Sequence, residues 1–231
     1  MKQIPLAIGV ATRRTFDNFL PGANAPAVSH LRALSAHGAH GVQERNWAPV
    51  YLWGSSGSGK THLLQALVNH GEQQGLRAGW FDARAAAPWP FDEGWALIVI
   101  DACDALDASQ QHAAFTLFVE AATRGVPVAA AGRVPPVDLP LREDLRTRLA
   151  WGHVFAIQPL GEPEVRAVLR RDADRRGVFL SDEVMDYLLT RFERDLKHLT
   201  AQLDRLDTFS LATQRAITVP LLKLMLAEEA Q

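Results

Sequence analysis

Eight consecutive residues, Gly54-Ser55-Ser56-Gly57-Ser58-Gly59-Lys60-Thr61, fit the pattern G-x-x-x-x-G-K-[ST] without exception. Glycines at these positions let successive backbone N–H groups turn inward around phosphate oxygens. A helix beginning at the lysine directs its positive end at the same anion. The Lys60 ammonium would reach the β and γ phosphates, and the Thr61 hydroxyl would ligate Mg²⁺. His62 is the next residue of this expected nucleotide-binding set. The second half of such a site is an acid at the end of a buried strand. Asp101, after Ala96-Leu97-Ile98-Val99-Ile100, supplies it and is expected to hold the Mg²⁺, through water.

The following position is informative. Many ATPases of this type place a second carboxylate there to orient the attacking water, and here it is Ala102. The next acid, Asp104, either approaches the phosphate by its helical offset or is solvated or caps a turn. Weak or no ATP hydrolysis by the chain alone is therefore expected. Cys103 reads as a small buried residue, because no histidine partner is indicated for a nucleophile. The 8 histidines are scattered and form no metal-ligand spacing. Terminal phosphates also need cations, which oligomeric ATPases draw in part from a neighbour. Arg142, Arg146, Arg148 and Arg194 are candidates, although an arginine on a helix surface is ordinarily just solvated.

These residues need elements to hold them. Short apolar runs at 49–53, 77–82, 96–100, 126–131 and 153–157 read as strands. Leu63, Leu64, Leu67 and Val68 fall at helical spacing after the loop, and residues 110–123 read as another helix. Strands alternating with helices predict a mainly parallel five-stranded sheet flanked by helices. Residues 85–94, rich in alanine, proline and bulky aromatics, fit neither period. After residue 160 the strand signals stop. Residues 162–176, 181–191, 195–212 and 219–227 look helical, with Leu196, Leu199, Leu203 and Leu206 forming a stripe. Ser181 followed by Asp182 and Glu183 suits a helix start. The predicted organisation is a tail over residues 1–15, an α/β nucleotide-binding domain over 16–160 and a small all-α domain over 161–231.

Composition narrows the classes. The chain has 231 residues, 48% apolar and 22% charged, as an ordinary globular protein does. With 24 basic against 26 acidic residues it lacks the net charge that would grip nucleic acid through phosphates, so little direct nucleic-acid binding is expected. One cysteine excludes an internal disulfide and a Cys-rich zinc site. The start has no signal-peptide pattern, and no apolar run has membrane-spanning length, which predicts a cytoplasmic protein without a membrane partner.

The order of motifs resembles the DnaA-type AAA+ family. Thr15-Phe16-Asp17-Asn18-Phe19 with Pro21-Gly22 is similar to the opening box of the AAA+ domain of the replication initiator DnaA. The phosphate loop, Leu97-Ile98-Val99-Ile100-Asp101, Arg133-Val134-Pro135-Pro136, the stretch 145–152 and Arg194-Asp195-Leu196 follow in the same order. The resemblance covers the chain from about residue 13 to its end and implies a P-loop AAA+ fold with a helical lid. DnaA continues into a helix-turn-helix DNA-binding domain and this sequence stops near the end of the lid, which argues against an origin-binding initiator. Gln3-Ile4-Pro5-Leu6-Ala7-Ile8, Leu149-Ala150-Trp151-Gly152 and the run 202–207 look more like the Hda group of DnaA-homologous regulators.

That resemblance implies the following roles. Gln3, Ile4, Leu6 and Ile8 would bind the sliding clamp of DNA polymerase III, the apolar side chains entering a groove and the Gln3 amide adding directional hydrogen bonds. Phe16, Phe19 and Gly22 would lie near the adenine. Arg148 corresponds to the arginine finger and Arg194 to the lid arginine that contacts nucleotide. The expected activity is stimulation of hydrolysis of DnaA-bound ATP, with ADP or ATP and Mg²⁺ as the chain's own cofactors. The expected partners are the clamp and DnaA, and a homodimer is one form compatible with the resemblance. Two departures stand out: Ala102, and Gly132 before Arg133, where the family often has an acid ahead of Arg-Pro-Pro as its first sensor. The alternative reading is an autonomous AAA+ ATPase acting as a DnaA-like or helicase-loader-like motor. A P-loop kinase is disfavoured by the helical lid.

Overall fold

A computed structural model describes residues 13–37, 48–192 and 196–228. They fall into two compact units, one running from Thr12 to Pro159 and the other containing the residues from Leu160 onward.

The first unit is an α/β layer structure. Its elements are α1 (Ala25–His37), β1 (Val50–Trp53), α2 (Lys60–Gln73), β2 (Arg77–Phe81), β3 (Trp95–Ile100), α3 (Ala108–Arg124), β4 (Val128–Gly132), α4 (Glu143–Trp151) and β5 (His153–Ala156). The strands form one five-stranded sheet in the order β2-β3-β4-β1-β5, and every neighbouring pair is parallel. Side chains alternate across it. Tyr51, Ile98, Ile100, Val128 and Ala130 face one core with α3 and α4. Val50, Leu52, Leu97, Val99, Ala129 and Ala131 face the other, with α1 and α2. Burial on both faces is why β3 reads as the unbroken apolar run Trp-Ala-Leu-Ile-Val-Ile.

Local chemistry fixes the helix ends. Asp107 and Gln110 form a capping box at the start of α3, and Gly125 closes it in the left-handed conformation. The stretch 85–94, without a period in sequence, is an ordered connection to β3. Trp89 stacks on Phe81 at 4.8 Å between ring centroids. The buried Gln110 amide donates to the carbonyls of Ala83 and Ala85 at 3.0 and 2.9 Å.

The second unit holds α5 (Glu162–Arg175), α6 (Asp182–Arg191), α7 (Leu196–Thr213) and α8 (Val219–Glu228). Leu199, Leu203 and Leu206 are buried in its core with Leu169, Val184, Leu188 and Leu222. The Val184 amide donates to the Ser181 hydroxyl, capping α6. Among the described residues no helix is long and apolar enough to cross a membrane.

Candidate functional site

The loop between β1 and α2 follows its path because its backbone has little choice. Gly54 has φ +154°, and a Cβ there would lie 2.4 Å from the Ile157 carbonyl oxygen at the end of β5. Gly59 has φ +101°, and a Cβ there would lie 2.7 Å from the Phe19 ring. Neither position admits a side chain. Leu63 is the first α2 amide to bond back, to the Gly59 carbonyl at 3.0 Å. The amides of Lys60, Thr61 and His62 therefore precede the helix ladder and are the donors a helix start offers an anion. Ser58 is buried under the loop, while Ser55, Ser56 and Gly57 are exposed at its crown.

Lys60 Nζ donates inward, to the carbonyls of Gly54 and Ser55 at 2.8 Å each and to the Ser58 hydroxyl at 3.3 Å. Burial lowers its pKa, partly offset by the Asp101 and Asp104 carboxylates. The Thr61 hydroxyl donates to Asp101 Oδ2 at 2.7 Å. Asp101 is only 9% exposed, and its other oxygen accepts the Ala102 amide at 2.9 Å. A hydroxyl and a carboxylate in contact at the mouth of a glycine loop are the hard oxygen ligands that suit Mg²⁺ on a phosphate chain. The residues present therefore fit a magnesium nucleotide.

Beyond Asp101 the chain turns sharply. Ala102 is left-handed, at φ +52° and ψ +48°, a conformation costly for a residue with a Cβ. Asp104 is neither solvated nor a helix cap: it accepts the Arg133 amide at 3.0 Å and pairs with the Arg133 guanidinium. Cys103 is buried, and burial pushes its thiol far above the ordinary range, so it holds no reactive thiolate.

Two family models match the chain. One, "Hda, lid domain", matches residues 162–226, and the other, "Bacterial DnaA ATPAse domain", matches residues 10–78. Domain III of the Thermotoga maritima replication initiation protein DnaA superposes with a TM-score of 0.78 at 19% identity, over 94% of this chain and 97% of that one. The chain is an Hda/DnaA-like AAA+ protein. AMPPCP-bound DnaA from Aquifex aeolicus gives a TM-score of 0.65 at 21% identity, over 84% of this chain and 64% of that one. The Thermotoga maritima RuvB Holliday junction branch migration motor gives 0.68 at 16% identity, over 93% of this chain and 71% of that one. At these identities the likeness is one of fold: a parallel five-stranded sheet with flanking helices, followed by a helical region consistent with a lid.

In this Hda/DnaA-like chain the two aromatics of the opening box separate. Phe19 lies against the phosphate loop at Gly59 and its ring tilts onto His62 at 5.3 Å. Phe16 is buried in the core, edge-on to His70 at 5.8 Å and under the Arg32 guanidinium. His62 Nε2 donates to the Thr15 carbonyl at 3.0 Å, tying the box to α2. Gly22, at φ +47°, starts a short turn ending at Asn24. Asn24 is a positioning residue that the sequence reading missed: its amide group exchanges two hydrogen bonds with the backbone of Gln158, at 2.9 and 2.8 Å. No local pattern marks it, because its partner is 134 residues away.

Arg148 lies on α4, away from the groups gathered at the loop. Its guanidinium sits 4.9 Å from the centroid of the Phe115 ring, and among the described residues it has no carboxylate partner. Arg142, at the start of the same helix, pairs with Asp144. Arg194 and the tail residues Gln3, Ile4, Leu6 and Ile8 lie outside the described residues.

Proposed function

We propose that this protein is a cytoplasmic regulator of replication initiation that binds ADP or ATP itself and promotes hydrolysis of DnaA-bound ATP while attached to the sliding clamp. The observation that carries this reading is an intact phosphate site, with Lys60 inside the loop and Thr61 on Asp101, beside an alanine where a hydrolytic enzyme would orient its water. Such a site binds a nucleotide without readily turning it over. The lid match adds support for the regulatory branch over the initiator branch.

In this mechanism the phosphate loop and Lys60 grip the phosphates, and Phe19 flanks the loop. Thr61 and Asp101 would hold Mg²⁺, which supplies neutralising charge when bound. The segment Gln3-Ile4-Pro5-Leu6-Ala7-Ile8 would engage the clamp and so concentrate the protein at replicating DNA. Arg148, which has no carboxylate partner among the described residues, would enter the DnaA nucleotide site. There its guanidinium would stabilise charge on the transferring phosphate, worth on the order of 10³–10⁵ in rate when supplied in trans. Arg194 is proposed as the lid contact to this chain's own nucleotide.

The test is ATP hydrolysis by DnaA in the presence of DNA-loaded clamp. Wild type should stimulate it, whereas Arg148→Ala and Gln3→Ala should not. Stimulation by Arg148→Ala at the wild-type rate refutes the mechanism. The retained Lys60 and Thr61 favour one competing reading, a self-assembling ATPase motor, and it predicts steady-state hydrolysis by this chain alone, well above background, whose rate per molecule rises and saturates as the chain self-associates.

A further inference from the structure

The sheet has two edges, and they are finished differently. β2 begins with the exposed Arg77, which pairs with Asp92. β5, beside β1 alone, has no such charge. From Leu149 to Ile157 the chain carries no Lys, Arg, Asp, Glu or Pro, and β5 pairs with β1 without a register shift. Edge strands are ordinarily blunted by a charge, a proline or a bulge, because their open backbone groups template pairing with another chain. β5 relies on its short length of 4 residues. The direction of its open groups is fixed by β1. The His153 and Ile157 amides donate to the carbonyls of Pro49 and Trp53 at 2.8 and 2.7 Å. Alternation along the ladder then turns the amides and carbonyls of Val154 and Ala156 outward. Among the described residues these groups have no partner. Both residues are exposed, Val154 at 39%, and Trp151 just before the strand is 59% exposed.

We propose that β5 is a self-association edge, on which a second copy of this chain lays its own β5 antiparallel about a two-fold axis at Phe155. The pattern is self-complementary. In that register Val154 meets Ala156 of the partner subunit and exchanges both backbone hydrogen bonds with it, and the reverse pair does the same. Every outward group of both strands is then satisfied. Phe155, which is in register with Leu52 of β1, meets the partner's Phe155 in the closer, non-hydrogen-bonded pair. Opposed aromatic rings add to such a pairing. No like charges are brought together, because the stretch 149–157 has none. A second copy fits this edge better than a charged peptide or a nucleic acid, since nothing on it recognises charge. So short an edge, even with Trp151 and Val154 beside it, buries less than a standard interface. The association is therefore transient, with a dissociation constant in the micromolar range.

The test is sedimentation velocity on the full chain from about 1 to 200 µM, over which wild type should pass from monomer to dimer. Ala156→Pro removes an outward amide without touching a bond to β1, and Val154→Lys places a charge on the open edge. Each should raise the dissociation constant at least about tenfold, because a two-fold interface counts every change twice. Phe155→Cys should cross-link two copies under mild oxidation. A non-hydrogen-bonded antiparallel pair stands about 4.5 Å apart between Cα atoms, inside the disulfide range, and Cys103 is buried. A chain that stays monomeric at about 200 µM overturns the proposal and leaves the edge to another occupant. A dimer unchanged in both Ala156→Pro and Val154→Lys lies on another surface and overturns it too. A dimer sensitive to both but not cross-linked by Phe155→Cys overturns the two-fold register. Should the half-buried Phe155→Cys fail to fold, the two exposed variants carry the test.

Discussion

Ala102 offers the sharpest test of the site's geometry, because its strain can be weighed against a known cost. An alanine in the left-handed region, here φ +52° and ψ +48°, loses about 1–2 kcal/mol relative to its preferred conformations. Glycine removes that penalty but gives the unfolded chain extra freedom worth about 0.4–1 kcal/mol. The balance makes Ala102→Gly more stable by about 0.5–1 kcal/mol. For the unit of Thr12–Pro159 that is a rise of about 1–3 °C in melting temperature. All 6 tryptophans fall within this unit, so their fluorescence reports on it separately from the lid. Urea titration followed by tryptophan emission should show a higher midpoint with an unchanged slope. Ala102→Val should move the midpoint the other way, since a β-branched residue tolerates this region worse. A glycine variant equal to or weaker than wild type would refute the strain argument. Such a result would remove the reason to regard the turn after Asp101 as held against its local preference.

Four further outcomes follow from the same contacts. Gly54→Ala should abolish nucleotide binding in a fluorescent-nucleotide titration and lower stability by more than about 2 kcal/mol, since the new methyl would lie 2.4 Å from the Ile157 carbonyl oxygen, a backbone atom, and 3.2 Å from the Ser58 hydroxyl. Burial holds His62 and His30 below their ordinary 6.5, so the unfolded chain takes up protons first as pH falls. Stability should be flat above about pH 6.5 and fall below it, and His62→Gln should reduce that slope in urea titrations run from pH 7.5 to 5. Asn24→Ala should cost about 1–3 kcal/mol by leaving the Gln158 backbone groups unpartnered, read from the same tryptophan unfolding curve. Arg148→Ala should change stability by less than about 1 kcal/mol, because it loses one cation–π contact, while its stimulation of DnaA-bound ATP hydrolysis disappears.

What was legible in the sequence followed the range of each signal. The phosphate loop is a local motif, and its geometry is imposed by glycines within eight residues, so pattern alone located it. The strands were legible because the sheet is covered on both faces, which forces the apolar run before Asp101. The α7 stripe was legible because Leu199, Leu203 and Leu206 share one helical face. By contrast, α1 has no assignment in the sequence reading: its core face of Ala27, Val28, Leu31 and Leu34 is diluted by further alanines, and Pro26 stands in its first turn. Residues 85–94 take their shape from Phe81 and Gln110, which lie outside the segment. The fate of Asp104 depended on Arg133, 29 residues away on another strand. Phe16 and Phe19 look interchangeable by type and spacing, and only the path of the chain sends one into the core and the other onto the loop.

The least conspicuous contribution to the site comes from β4. Its residues Val128–Gly132 are nearly all alanine and glycine, and all are buried. Ala129 and Ala131 face the layer that holds Leu63, Leu64, Ala66 and Leu67 of α2. Small residues at the centre of a sheet let a covering helix settle closer than valine or isoleucine would. The first turn of α2 carries Thr61, and Asp101 ends β3, two strands from the strand that feeds the loop. At roughly 4.8 Å per strand the two would otherwise stand about 10 Å apart. They meet at 2.7 Å because α2 crosses back over the alanines of β4. The same small strand end admits the Tyr51 hydroxyl and Asp104 against Gly132. A strand that carries no functional side chain of its own therefore sets the separation between the two groups that would hold the metal.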